Sequence, residues 1–291
     1  MGRHSLHLLI GLFFSLSLQA LAARHLVLVP GFFNSAVPAP IMGGNPWKQP
    51  YFSQDIISYL TTSGEQIWVV DTLNPLGSVE ENGEKLLTFL QNHREQLQGP
   101  ILLIGHSAGG LYSLYAAARS DLEINQIITI STPFAGLEFL DTLERNHIPV
   151  SKLAAPFSLG NLLQLRNEKV QAFLSDLKFQ KPIRVDVFAG YQGASIFTWD
   201  WKNLSQPMLP FQALTQADSD GIVSVRSSLA AGALKAKRLL NLQIHPEPIE
   251  LEHWEFNLDA KLMLAFGVVN IPSLQTAQKW AYYNLLKQSS K

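Results

Sequence analysis

Gly105-His106-Ser107-Ala108-Gly109 fits the pattern Gly-x-Ser-x-Gly, and the residues around it give the pattern its meaning. Ile101–Ile104 directly before it is an apolar run of strand type, and Leu111–Ala118 directly after it reads as a helix. A serine on a sharp strand-to-helix turn stands at the end of a sheet, where its hydroxyl can act as a nucleophile. The following helix aims backbone N–H groups and a positive dipole end at the reacting oxygen. Acyl transfer is the chemistry this setting supports. The plain alternative is a serine in an ordinary tight turn.

Acyl transfer also needs donors for the oxyanion. One is the backbone N–H of the residue after the nucleophile, Ala108, and the second belongs to a loop after an earlier strand. Val29-Pro30-Gly31-Phe32-Phe33-Asn34 follows the first apolar run, and Gly31 permits an unusual backbone there, so Phe32 N–H is the candidate. Pro30-Gly31 could equally do no more than turn the chain.

A serine hydroxyl further needs a base and a group that orients it, in the chain order Ser…Asp/Glu…His for this architecture. Of eight histidines, His4, His7, His25, His93 and His106 precede Ser107, and His147 precedes any plausible acid. His245 and His253 remain. His245 closes a strand-like run, LLNLQIH, where it could simply be packed; His253 lies in the loop Glu250–Phe256 and is preferred. For the acid, Asp220 in Asp218-Ser219-Asp220-Gly221 is preferred, with Asp218 and the distant Asp200 as alternatives. Read blandly, the same four residues are a turn.

The elements that must hold these groups are short apolar runs: 25–29, 66–70, 101–105, 126–131 and 183–189. Helix-like stretches at about 51–63, 80–98, 108–119 and 165–180 separate most of them, with Leu86, Leu90, His93 and Leu97 on one stripe. This alternation predicts an α/β fold with a mostly parallel sheet covered by helices on both faces. Between Phe134 and Lys181 no strand is evident, and KLAAPFSLGNLLQLR (152–166) is charged only at its ends. Periodicity alone leaves a buried helix and a cap or lid over an apolar cleft equally open there, with Pro156 and Gly160 opposing one long helix.

The first 22 residues have a basic start, an apolar centre from Leu8 to Leu18 and an Ala-Leu-Ala end, the parts of a signal peptide. That apolar run is too short for a spanning anchor, so cleavage after Ala22, export and a single domain over 23–291 (cap or lid about 137–181) are the expectations. The absence of cysteine excludes a disulfide, a thiolate nucleophile and cysteine-held metals. A net charge of −1 with 15% charged residues gives no footprint for nucleic acid.

Taken together, VLVPGF (27–32), YFSQDIISYLTTSGEQIWVV (51–70), ILLIGHSAGG (101–110), TISTPFAG (129–136), SDGIVSVRSS (219–228) and EHWEFN (252–257) make the chain resemble the bacterial secreted true lipases, of the α/β-hydrolase fold. The family's acid sits in an Asn-Asp-Gly-[Leu/Ile]-Val context, matching Asp220, and its histidine context is close to His253-Trp254-Glu255-Phe256-Asn257. The resemblance implies a serine hydrolase cleaving acyl esters of lipid or related substrates with Ser107, Asp220 and His253, and no cofactor in the chemistry. It also raises a structural calcium near Asp200, Glu255 and Asp259. Pro30-Gly31 stands where the family usually has His-Gly, and the lid region is shorter than in the large lipases. A short-chain esterase, an acyltransferase or an exported binding protein on the same scaffold are the rival readings.

Overall fold

The structure, a computed structural model, describes residues 24–32, 51–52, 54–61, 65–147, 160–191, 218–249, 253, 284 and 288. The expected signal peptide, residues 148–159 of the expected lid, and Asp200, Glu255 and Asp259 lie outside the described residues.

In chain order the elements are β1 (His25–Val29), α1 (Gln54–Thr61), β2 (Gln66–Val69), α2 (Val79–Asn92), β3 (Ile101–His106), α3 (Gly109–Arg119) and β4 (Ile124–Ile130). There follow α4 (Glu138–Arg145), a 3₁₀ helix (Gly160–Leu165), α5 (Asn167–Asp176), β5 (Ile183–Phe188), α6 (Val225–Leu229), α7 (Gly232–Lys235) and β6 (Leu240–Ile244). Among the described residues six strands form one sheet in the order β2-β1-β3-β4-β5-β6, every pairing parallel. This is the α/β architecture expected from the alternation of runs.

The central strands are buried at nearly every position, which is why HLVLV and ILLIGH read as unbroken apolar runs rather than as alternating ones. Edge strand β6, LNLQI, alternates between half-buried and exposed residues, so it is the faintest of the six in sequence. Successive side chains point to opposite faces. Val27, Val29, Leu103, Ile127, Val185 and Val187 join the core that α2 and α3 cover; Leu26, Leu28, Leu102, Ile104, Ile128 and Phe188 pack beneath Phe52, Ile56 and Leu60 at α1.

Helix α2 begins where Ser78 Oγ accepts a hydrogen bond from Glu81 N at 3.0 Å, a Ser-x-x-Glu start. It ends at Asn92, six residues before the expected stretch of about 80–98 does. His93 is its C-cap, leaving helical dihedrals at φ −104° and ψ 15° while its backbone N–H donates to Phe89 O at 3.2 Å and Nδ1 donates to the same carbonyl at 2.8 Å. Leu97 still reaches the core, from a turn rather than from the helix.

No strand occurs among the described residues between Phe134 and Lys181. Leu140 and Leu143 of α4, Leu165 of the 3₁₀ helix, and Val170 and Leu174 of α5 bury into the same core as α2 and α3. Of the stretch 152–166, only 160–166 lie within the described residues, and there Leu165 alone is buried.

Chain direction across the sheet locates the site. From β1 the chain moves outward to β2, then crosses to β3 on the other side of β1. The carboxyl ends of β1 and β3 therefore flank the point where strand order reverses, the place where open α/β sheets form ligand crevices. Residues 30–32 and 106–108 lie there.

Candidate active site

Ser107 follows the last residue of β3 and has φ of 56°, in the left-handed region that an L side chain enters only at a cost of about 1–2 kcal/mol. Three hydrogen bonds hold it there: Ser107 N donates to Ile130 O at 2.8 Å, Thr132 Oγ1 donates to Ser107 O at 2.9 Å, and Gly110 N donates to that oxygen at 3.1 Å. Helix α3 starts at Gly109 with no side-chain cap and no acidic residue in its first turn. Its positive end is left to whatever charge develops beside Ser107.

The loop after β1 presses against this turn. A Cβ on Gly31 would stand 2.7 Å from Ser107 Cβ, 2.8 Å from His106 O and 3.1 Å from Ala108 N. A Cβ on Gly109 would stand 2.2 Å from Val29 O. Both contacts involve backbone, so neither can yield cheaply, and the two glycines are what let loop and elbow meet. Phe32, next to Gly31, is buried. Gly31→Ala is expected to displace the elbow and lower turnover at least about a hundredfold, since misplacing reacting groups by 1 Å costs that much. Steady-state kinetics beside a thermal melt would check it, the melt showing how much of the loss is unfolding.

Asp220 and His253 come together. His253 Nδ1 lies 2.8 Å from Asp220 Oδ2, and the His253 backbone N–H donates to Asp220 O at 2.8 Å. The other carboxylate oxygen accepts from Ile222 N at 3.0 Å and Val223 N at 2.8 Å. Gly221, at φ 106°, makes that turn possible. The Asp-Ser-Asp-Gly segment is thus a turn, and the turn is what fixes the carboxylate. Both side chains are buried, Asp220 completely. The chain leading to His253 is anchored just past the end of β5, where Ile249 N donates to Ala189 O and Tyr191 N to Ile249 O, each at 2.8 Å.

The alternatives go elsewhere. Asp218 is exposed, and its carbonyl accepts from Val225 N at 2.8 Å. His245 stacks on Phe188 and places Nε2 3.1 Å from Oδ1 of the fully buried Asp186. Arg184 Nη2 at 2.9 Å and Gln126 Nε2 at 2.7 Å also donate to that carboxylate. His245 is a half-buried histidine in the polar cluster around Asp186.

His106 and Tyr51 belong to the site, although sequence reasoning set His106 aside for preceding the serine and passed over Tyr51. The His106 ring lies 4.6 Å from the His253 ring, centroid to centroid, and its Nδ1 is 2.7 Å from Tyr51 Oη. Burial, then the charge His253 can carry, hold the His106 imidazole well below its ordinary 6.5, against a smaller opposing effect of a hydrogen bond with the His253 backbone. Unfolded His106 takes up a proton near 6.5 and folded His106 does not, so its stabilising share is present above 6.5 and lost as pH falls below it. The expected slope is about 1.4 kcal/mol per pH unit from this residue. Denaturant melts between pH 7 and pH 5 should show it, and His106→Phe should flatten it.

A family model for the α/β hydrolase fold matches residues 24–232. No curated protein matches the sequence. Among solved structures the chain is similar to the mature form of the lipase BlEst2 from Bacillus licheniformis, with 16% identity, TM-score 0.53, and 80% of this chain and 86% of that one covered. It is similar to lipase 1 from Pelosinus fermentans at 12% identity and TM-score 0.57, covering 88% of this chain and 98% of that one. A metagenomic carboxyl esterase aligns at 14% identity and TM-score 0.56, over 91% of this chain and 76% of that one. Identities this low speak to the fold alone. With the family match spanning well over half the chain, this protein belongs to the α/β hydrolase fold family.

Proposed function

We propose that the protein is a serine hydrolase of carboxylic esters that works through an acyl-enzyme. The observation that carries this is the buried Asp220–His253 pair at 2.8 Å, whose imidazole lies 4.6 Å from the ring of His106, the residue directly before a serine held at φ 56° on a strand-to-helix turn. A merely structural histidine and carboxylate have no need of such a serine next to them.

In this reading Ser107 Oγ attacks the ester carbonyl while His253 takes its proton at Nε2. Asp220 holds the imidazole through Nδ1 and stabilises the imidazolium that forms. The carbonyl oxygen, now an anion, is received by the N–H groups of Phe32 and Ala108; one such donor is worth about 3–4 kcal/mol of transition-state stabilisation. Collapse breaks the ester C–O bond, and His253 returns the proton to the leaving alkoxide. Water then attacks the acyl-enzyme with His253 again as base, releasing the acid and free Ser107. The Pro30-Gly31 backbone supports Phe32 in its role by bringing that loop against Ala108 N.

Within this class we take the natural substrate to be an acyl glycerol, on the sequence resemblance to secreted lipases, and the protein to be exported after cleavage at Ala22. A series of esters of rising chain length, assayed below and above their solubility, tests the substrate. A lipase speeds up when the interface appears. Rates that decline beyond butyrate, with no interfacial rise, would assign the site to a short-chain esterase.

A further inference from the structure

His106 and Tyr51 stand where neither a nucleophile, a base nor an orienting acid is wanted, yet they form the wall against which His253 rests. His106 is fixed to the elbow by sequence, being the residue before Ser107. His253 comes four residues after Ile249, which is bonded to Ala189 and Tyr191 just past the end of β5. Asp220 controls one edge of the His253 ring and the His253 backbone N–H. What sets the ring's distance from the nucleophile is a separate requirement, because the Asp220 contacts leave rotation about that edge open.

We propose that His106 is a positioning residue, held by Tyr51, that gauges His253 against Ser107; this rests on the catalytic reading above. Its ring contacts the His253 ring at 4.6 Å between centroids, tilted by 48°, so it limits where the base can swing. Tyr51 Oη, 2.7 Å from His106 Nδ1, keeps that ring from turning. The Tyr51 ring also lies against His106 at 5.7 Å and against Phe52 at 5.2 Å, edge to face, which anchors the hydroxyl in the core beneath α1. A ring in this place must stay neutral, since a second cation would oppose the imidazolium that His253 becomes in each half-reaction. Burial of His106 favours the neutral ring, holding its imidazole well below the ordinary 6.5. The identity of the residue before the serine thereby acquires a reason: it supplies an uncharged aromatic edge that is itself hydrogen-bonded.

The test uses Tyr51→Phe, His106→Phe and the double variant, with the concentration of intact sites in each titrated by a fluorophosphonate. Tyr51→Phe deletes one hydroxyl from a buried ring, and His106→Phe keeps a ring against His253 without its hydrogen bonds. Per intact site, each is expected to lower kcat for an activated ester about tenfold with KM changed less than twofold, the scale of one hydrogen bond acting on the transition state. The double variant should be no slower than His106→Phe, because Tyr51 acts through His106. Wild-type kcat per intact site in both single variants, with only the melting temperature lowered, would make the pair structural and overturn the proposal. So would full additivity in the double variant. A wild-type protein that fails to react with the fluorophosphonate would instead overturn the catalytic reading itself, so the two failures are told apart.

Discussion

Ser107→Ala should lower kcat for activated esters by roughly 10⁶-fold, the loss found when the nucleophile of such a triad is removed. The fold should survive. The turn at φ 56° is held by backbone and Thr132 hydrogen bonds that do not involve the hydroxyl, and alanine is smaller than serine. Melting temperature therefore should stay near that of the wild type while activity disappears. Residual acceleration over water, of order 10³–10⁴, would come from Phe32, Ala108 and substrate binding. Activity retained at more than about a hundredth of wild type would mean that another group is the nucleophile, since triad losses are far larger.

The second large effect is expected from Asp220→Asn, about 10⁴-fold in kcat with little change in structure. Asparagine can keep its oxygen on Ile222 N and Val223 N, the two bonds that shape the turn. Its amide nitrogen then faces His253 Nδ1, where the carboxylate Oδ2 stood at 2.8 Å. Two donors cannot share that contact, so Nδ1 gives up its proton and the proton moves to Nε2. A ring protonated there cannot accept from Ser107. Asp218→Asn provides the comparison: Asp218 is exposed and bonds Val225 only through its carbonyl, so kcat should remain within about twofold of wild type, as for surface substitutions generally. A loss at Asp218 equal to that at Asp220 would mean that the whole turn, and not one carboxylate, is being disturbed.

Much of the fold was legible in sequence because parallel strands buried on both faces leave continuous apolar runs, as at Ile101–Ile104 and Leu26–Val29. β6 was harder to read, since an exposed edge strand such as LNLQI carries asparagine and glutamine among its apolar residues. The end of α2 was misjudged for a different reason. Leu97 keeps the apolar period of the helix after the helix has stopped, and it is the dihedrals of His93, φ −104° and ψ 15°, that show where it stops. In the site, the pairing of Asp220 with His253 could be anticipated from chain order and local context. Tyr51 could not, because its partner His106 lies 55 residues away, and no short pattern records a contact across that distance. His106 was visible inside the five-residue motif, but its value depends on a ring that arrives from another part of the chain.

Ser107 must be an activated nucleophile for this chemistry to proceed. Mass spectrometry of the intact and digested protein after exposure to a fluorophosphonate tests that most directly. The expected result is one adduct per chain, on the peptide that contains Ser107, absent in Ser107→Ala and strongly slowed in His253→Ala. Folded protein that stays unmodified, or that carries its adduct on another residue, would contradict it and return the chain to a binding role on a hydrolase scaffold.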